Sequence, residues 1–150
     1  MNLLINYKEC FIETEKQHSE FVAIDKKNNK TEYRIKNKSK LFISKIKADS
    51  ENCIKEDGLC DFIFTIGKTK SVEDYFLIEL KNSDLIKAVN QIDKTIKFLK
   101  LEKEKVSARV ILTKTHAPDI IDNRVKKFKN KIQLGGGTFK HHSQYLEDIL

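Results

Sequence analysis

Between Tyr75 and Leu101 the sequence changes period, and that change restricts the fold more than any other feature of the chain. "YFLIELK" (75–81) reads as a strand, with Phe76, Ile78 and Leu80 on one face and Leu77, Glu79 and Lys81 on the other. After Lys81 the spacing becomes helical. Ser83 is a good N-cap, Asp84 suits the positive end of a helix dipole, and Leu85, Val89, Ile92, Ile96 and Leu99 recur at four- and three-residue intervals. A helix is expected from about Asp84 to Leu101. "ARVILT" (108–113) follows as a short apolar run that fits a central strand covered on both faces. A strand, a long helix and a second buried strand form a crossover, which sets the two strands parallel in one sheet with a right-handed connection.

Upstream, "CDFIFTI" (60–66) is aromatic and β-branched, follows Gly58 and stops at Gly67, so it pairs with "YFLIELK" as an antiparallel hairpin across "GKTKSVED". Two alternating stretches within Glu20 to Asn37 predict an N-terminal β-hairpin, with Asn28 and Asn29 tolerating the positive φ of its turn. "SKLFISKIKADSENC" fits a strand or a short helix. Downstream, Pro118 opens a second helix through about Phe128, "KIQL" reads as a last strand and "SQYLEDIL" as a terminal helix. Gly135 to Gly137 read as a flexible turn able to approach a ligand backbone, and His141-His142 as part of a surface loop. With one proline, five glycines and no internal repeat, nothing marks a linker. The expectation is one domain over residues 1–150 of the α/β (α+β) class, a mixed β-sheet flanked by helices.

Glu79 and Lys81 sit where the strand should be entering the core. If the hairpin is centred near Lys70, Asp61 lies directly opposite Glu79, with Cβ atoms roughly 5 Å apart. Two opposed carboxylates destabilise a sheet unless something neutralises them. A divalent cation does so, and oxygen ligands from two carboxylates, a main-chain carbonyl and water suit Mg2+ or Mn2+. The neighbouring lysine could then act on a nucleophilic water and stabilise charge building on a phosphodiester. The alternative is a surface Glu79 and Lys81 at a fraying strand end, with Asp61 in a solvent-facing turn.

Asp61, followed eighteen residues later by Glu79-Leu80-Lys81, with a long helix and another strand behind, resembles the PD-(D/E)XK nuclease superfamily. That superfamily has the restriction-endonuclease-like fold and includes restriction enzymes, Holliday-junction resolvases and RecB-like nucleases. The resemblance covers mainly residues 59–113. It implies that Asp61 and Glu79 hold the metal, that the Leu80 carbonyl completes its shell, and that Lys81 acts on the nucleophilic water. Cys60 stands where proline is usual. Gln91 matches the first half of a Gln-x-x-x-Tyr helix motif of RecB-like members, but Thr95 replaces the tyrosine. Members often add a carboxylate from an N-terminal helix, and Glu9, Glu13 and Glu20 are available. Asp49, just upstream of Asp61, is a further accessory candidate within an acidic stretch that otherwise reads as a solvated loop.

Lys and Arg total 29 against 22 Asp and Glu, a net charge of +7 that favours phosphate-bearing partners. The Lys, Ile and Asn richness also fits an AT-biased genome, which yields basic proteins with no nucleic-acid role. Arg124, Lys126, Lys127 and Lys129 follow the last crossover strand and are the expected contacts to a nucleic-acid backbone. Cys10, Cys53 and Cys60 lack zinc or redox spacing and read as reduced and buried. The start does not read as a signal peptide, and no run reaches the roughly twenty apolar residues that span a bilayer, so a soluble cytoplasmic protein is expected. A Mg2+-dependent endonuclease acting on DNA, working as a homodimer in bacterial or phage defence, restriction or recombination, is the leading expectation. A catalytically inactive nuclease-fold protein that binds nucleic acid or serves assembly is the alternative.

Overall fold

The computed structural model describes residues 6–25, 31–49, 53–81, 83–114 and 121–150, with the Lys81 side chain outside that description. The elements are β1 (Phe11–Lys16), β2 (Glu20–Ile24), β3 (Glu32–Lys36), β4 (Phe42–Lys47), β5 (Phe62–Gly67), β6 (Asp74–Lys81), α1 (Leu85–Phe98), β7 (Val106–Leu112), α2 (Asn123–Leu134), β8 (Phe139–Ser143) and β9 (Tyr145–Ile149).

Six strands form a mixed sheet in the order β1-β4-β5-β6-β7-β8, antiparallel as far as β6 and parallel from β6 to β8. The expected crossover is present, with Leu77 opposite Ala108 and Leu80 opposite Ile111 in the parallel ladder. The segment left open between strand and helix is β4, and the N-terminal pair β2 and β3 is antiparallel as expected. Its Asn28-Asn29 turn lies outside the described residues.

The helices cover one face of this sheet, where Ile63, Leu77 and Val110 meet Leu85, Ile92, Val125 and Phe128. A second, three-stranded sheet, β2-β3-β9, covers the other face. There Phe64, Phe76, Ile78 and Ile111 pack against Phe21, Tyr33 and Ile35. The mixed sheet is thus flanked by helices on one side and by strands on the other. Being enclosed on both faces, β5 and β7 are buried along their whole length, as their near-continuous apolar sequence requires.

Several local expectations are corrected. Asp84, not Ser83, caps α1, because its Oδ1 reaches the Lys87 N–H at 2.8 Å. "KIQL" belongs to α2, since Ile132 continues the buried stripe of Val125 and Phe128. The proposed helix start at Pro118 lies outside the described residues. "SQYLEDIL" is the strand β9, parallel to β3, and not a helix: Asp148 is buried and bound to Arg109, a pairing a solvated terminal helix would not offer. His141 and His142 are on β8 rather than in a loop, paired in register with Val110 and Ile111.

Gly137, the last of the glycine run, approaches the protein's own backbone. A Cβ on Gly137 would lie 1.6 Å from the Val106 carbonyl oxygen, so only glycine lets the α2–β8 connection close on β7. Gly137→Ala is expected to cost at least about 1–3 kcal/mol in overpacking. For a chain of this size that lowers Tm by about 2–4 °C per kcal/mol. A thermal melt checks it, and an unchanged Tm would mean the connection does not bear on Val106. No helix among the described residues is long and apolar enough to cross a membrane.

Candidate active site

The hairpin that carries the site is centred on Lys70 as the sequence requires. Phe62 stands opposite Ile78 and Ile66 opposite Asp74, and the paired register ends there, with Asp61 immediately before β5. Asp61 is tied into that position three ways. Its N–H donates to the Ile78 carbonyl at 3.1 Å, its Oδ2 accepts the Leu80 N–H at 2.7 Å, and its carbonyl accepts the Ala48 N–H at 3.0 Å. A strand residue sends its N–H and C=O to the same side. The Leu80 carbonyl therefore leaves β6 toward Asp61.

Glu79 is 0 % exposed and lies on the helix-covered face with Leu77, whereas Asp61 is half-buried at the rim. Glu79 is therefore not the surface residue of the solvent-facing alternative. The negative field is registered by Cys60: burial pushes its thiol well above the ordinary range, and the Glu79 and Asp61 carboxylates push it further. A neutral, enclosed thiol is inert. Cys10 behaves alike, raised to about 12 by burial and by contact with Cys53. The Lys81 backbone continues β6 opposite Leu112, while the side chain to which a role was assigned lies outside the described residues.

The accessory candidates do not converge on the pair. Asp49 reaches it only by main chain, its N–H donating to the Asp61 carbonyl at 3.4 Å, and the residue is exposed. Gln91 turns its Nε2 to the Leu59 carbonyl at 3.4 Å, which braces the entry to β5. Glu20 pairs with Arg34 on the second sheet, Glu13 lies 3.9 Å from His18, and Glu9 sits in a single 3-10 turn. Among the described residues no group of three or more His, Cys, Asp or Glu side chains is placed to share a metal. Upstream, Glu56 pairs with Lys94 of α1 at 2.8 Å, so part of the acidic stretch is committed to packing.

The four basic candidates on α2 separate by face. Arg124 folds back on Asp122, which caps the helix through the Arg124 N–H. That contact holds the Asp122 carboxyl at about 2, below its usual range. Lys126 and Lys129 line a groove of about 490 Å3 with Lys140 and His141, over Val125, Phe139 and Leu146. Lys127 is exposed and does not line it.

Three features were missed from sequence. Thr95 occupies the apolar stripe of α1, accepts the Cys60 N–H at 2.8 Å and donates to the Gln91 carbonyl, so it fastens α1 to the strand that presents Asp61. The polar residue between Ile92 and Ile96 was the available signal. His141 stands on β8 in the row that runs through Val110 to Glu79. Burial, with the charges of His142 and Lys129, lowers its pKa. Arg109, inside the run read as apolar, is 2 % exposed and bound to Asp148 at 2.6 Å.

Comparison with protein-family models, with curated proteins and with solved structures finds no match. The functional reading therefore rests on the geometry of this chain.

Proposed function

We propose that the protein is a metal-dependent endonuclease of the PD-(D/E)XK type, hydrolysing phosphodiester bonds in DNA in bacterial or phage defence, restriction or recombination. The observation that carries this reading is Glu79, fully enclosed on the helix face of β6 and one strand away from the anchored carboxylate of Asp61. A carboxylate enclosed in low-dielectric surroundings, with a second at the adjoining rim, is costly without positive charge beside it.

The donors at hand fit a hard cation. Asp61 and Glu79 offer carboxylate oxygens and Leu80 a main-chain carbonyl, all oxygen donors, so Mg2+ or Mn2+ suits them better than a softer metal. A divalent ion held there supplies a Lewis acid for the phosphoryl oxygens and makes water a competent nucleophile near neutral pH. The chain's own part is to fix the donors. Asp61 is held by the Leu80 N–H, and its strand is held by Thr95 of α1. Lys81 follows on β6 and takes the role of orienting the nucleophilic water and countering charge on the phosphate.

A second reading draws on the lack of a third ligating side chain among the described residues. In it the protein keeps the fold and binds nucleic acid without cutting. The two are separated by incubating circular and linear DNA with Mg2+, Mn2+ or EDTA, and by titrating Mn2+ calorimetrically. Cleavage with either metal and none in EDTA is the expected result. DNA binding with no cleavage under either metal would favour the second reading.

A further inference from the structure

The groove beside α2 has no part in the metal chemistry, yet its position and charge give it a use. At 3.6 residues per turn, Lys126 and Lys129 fall on one flank of the buried Val125–Phe128–Ile132 stripe. The opposite flank, with Arg124 and Lys131, faces α1, where Lys131 binds Asp93 at 2.5 Å. Lys126 and Lys129 have no anionic partner among the described residues. Lys140, at the far wall, is committed to Asp148 at 2.8 Å. The groove therefore presents two ammonium groups over an apolar floor of Val125, Phe139 and Leu146.

The sheet places this groove relative to the carboxylates. Glu79, Val110 and His141 are opposite one another across the parallel strands β6, β7 and β8, and His141 lines the groove. Glu79 and His141 each lie two residues from the carboxyl end of their strand, so they share one rim of the sheet, the rim at which parallel sheets take their ligands. Two strand spacings separate them, about 10 Å. That is roughly three base steps at the 3.4 Å rise of duplex DNA. Val110 between them is buried, so a strand of DNA joining the two places runs along the rim and not over the sheet.

We propose that this groove is the subsite for the DNA backbone flanking the scissile phosphate, with Lys126 and Lys129 holding its phosphates and the Phe139 and Leu146 floor taking the adjoining sugar and base. This rests on the nuclease reading for the word scissile; the backbone binding itself needs no metal. Of the four basic candidates on α2, Lys126 and Lys129 contact DNA and Arg124 and Lys127 do not.

Fluorescence anisotropy with a labelled duplex, in EDTA and over roughly 50–200 mM salt, tests it on the full chain. Removing two phosphate contacts lowers the slope of log K against log salt by about 1.8. Lys126→Ala/Lys129→Ala should show that loss with an unchanged melting temperature. Arg124→Ala and Lys127→Ala should keep the wild-type slope. Equal slopes for the double variant and the wild type would overturn the proposal, as would a wild type that does not bind DNA. A lowered slope in a protein that never cleaves would uphold the groove and remove the nuclease reading, so the two failures are distinct.

Discussion

Glu79→Gln lowers metal-dependent DNA cleavage by a factor on the order of 10²–10³, the scale of losing one preorganised electrostatic contact to a transition state. The substitution keeps the volume of the side chain and removes its charge, so the enclosed position on β6 can still pack. Activity alone cannot distinguish a metal ligand from a strut, and thermal melts supply the second readout. A cation that binds only the folded protein stabilises it by about 2.7 kcal/mol at a hundred times its Kd. At about 2–4 °C per kcal/mol that raises Tm by about 5–11 °C. The wild type should show this rise with Mn2+, and Glu79→Gln should show little of it while retaining its melting cooperativity in EDTA. Equal Mn2+ shifts in the two proteins, or cleavage that persists in the variant, would remove Glu79 from the site.

What could be read from the sequence follows from where each signal lies. The β5–β6 hairpin and its centre near Lys70 were legible because a hairpin's register is fixed by its turn, and the polar "GKTKSVED" between two apolar runs located that turn. The crossover was legible because the period changes within three residues of Lys81. The C-terminal third was not. "SQYLEDIL" carries apolar residues at spacings a helix and a strand both tolerate, and the choice was made by Asp148, whose partner Arg109 is 39 residues away. The second sheet was invisible for the same reason: β9 joins β3 from the far end of the chain, and no local pattern encodes a parallel pairing of that separation. Nor could the sequence separate Lys126 and Lys129 from Arg124 and Lys127, since their difference depends on which flank of α2 meets α1.

Arg109→Ala is expected to be the most destabilising substitution outside the apolar core. Its guanidinium binds Asp148 through Nε at 2.6 Å and Nη2 at 3.3 Å, donates to the Ala108 and Thr138 carbonyls, and lies 4.9 Å from the Phe76 ring centroid. Asp148 in turn accepts from Tyr33 of β3 and from Lys140 of β8, each at 2.8 Å, so one buried carboxylate on β9 ties that strand to β3, β7 and β8 across the two sheets. Removing one partner of a buried pair costs about 3–5 kcal/mol, because the other charge stays enclosed. In a chain of this size that lowers Tm by about 6–20 °C. The acid side gives the sign an independent check. Burial alone would raise the Asp148 pKa, but hydrogen bonds from Arg109, Lys140 and Tyr33 outweigh it and hold the carboxyl below its ordinary value. A carboxyl depressed in the folded state contributes stability that is complete above its unfolded pKa of about 3.9. That contribution is lost as pH falls through the lower folded value. The Tm difference between wild type and Arg109→Ala should therefore be largest near neutral pH and shrink below about pH 4. A difference that stays constant into acid would mean that packing of the arginine stem, and not its pairing with Asp148, is what the second sheet depends on.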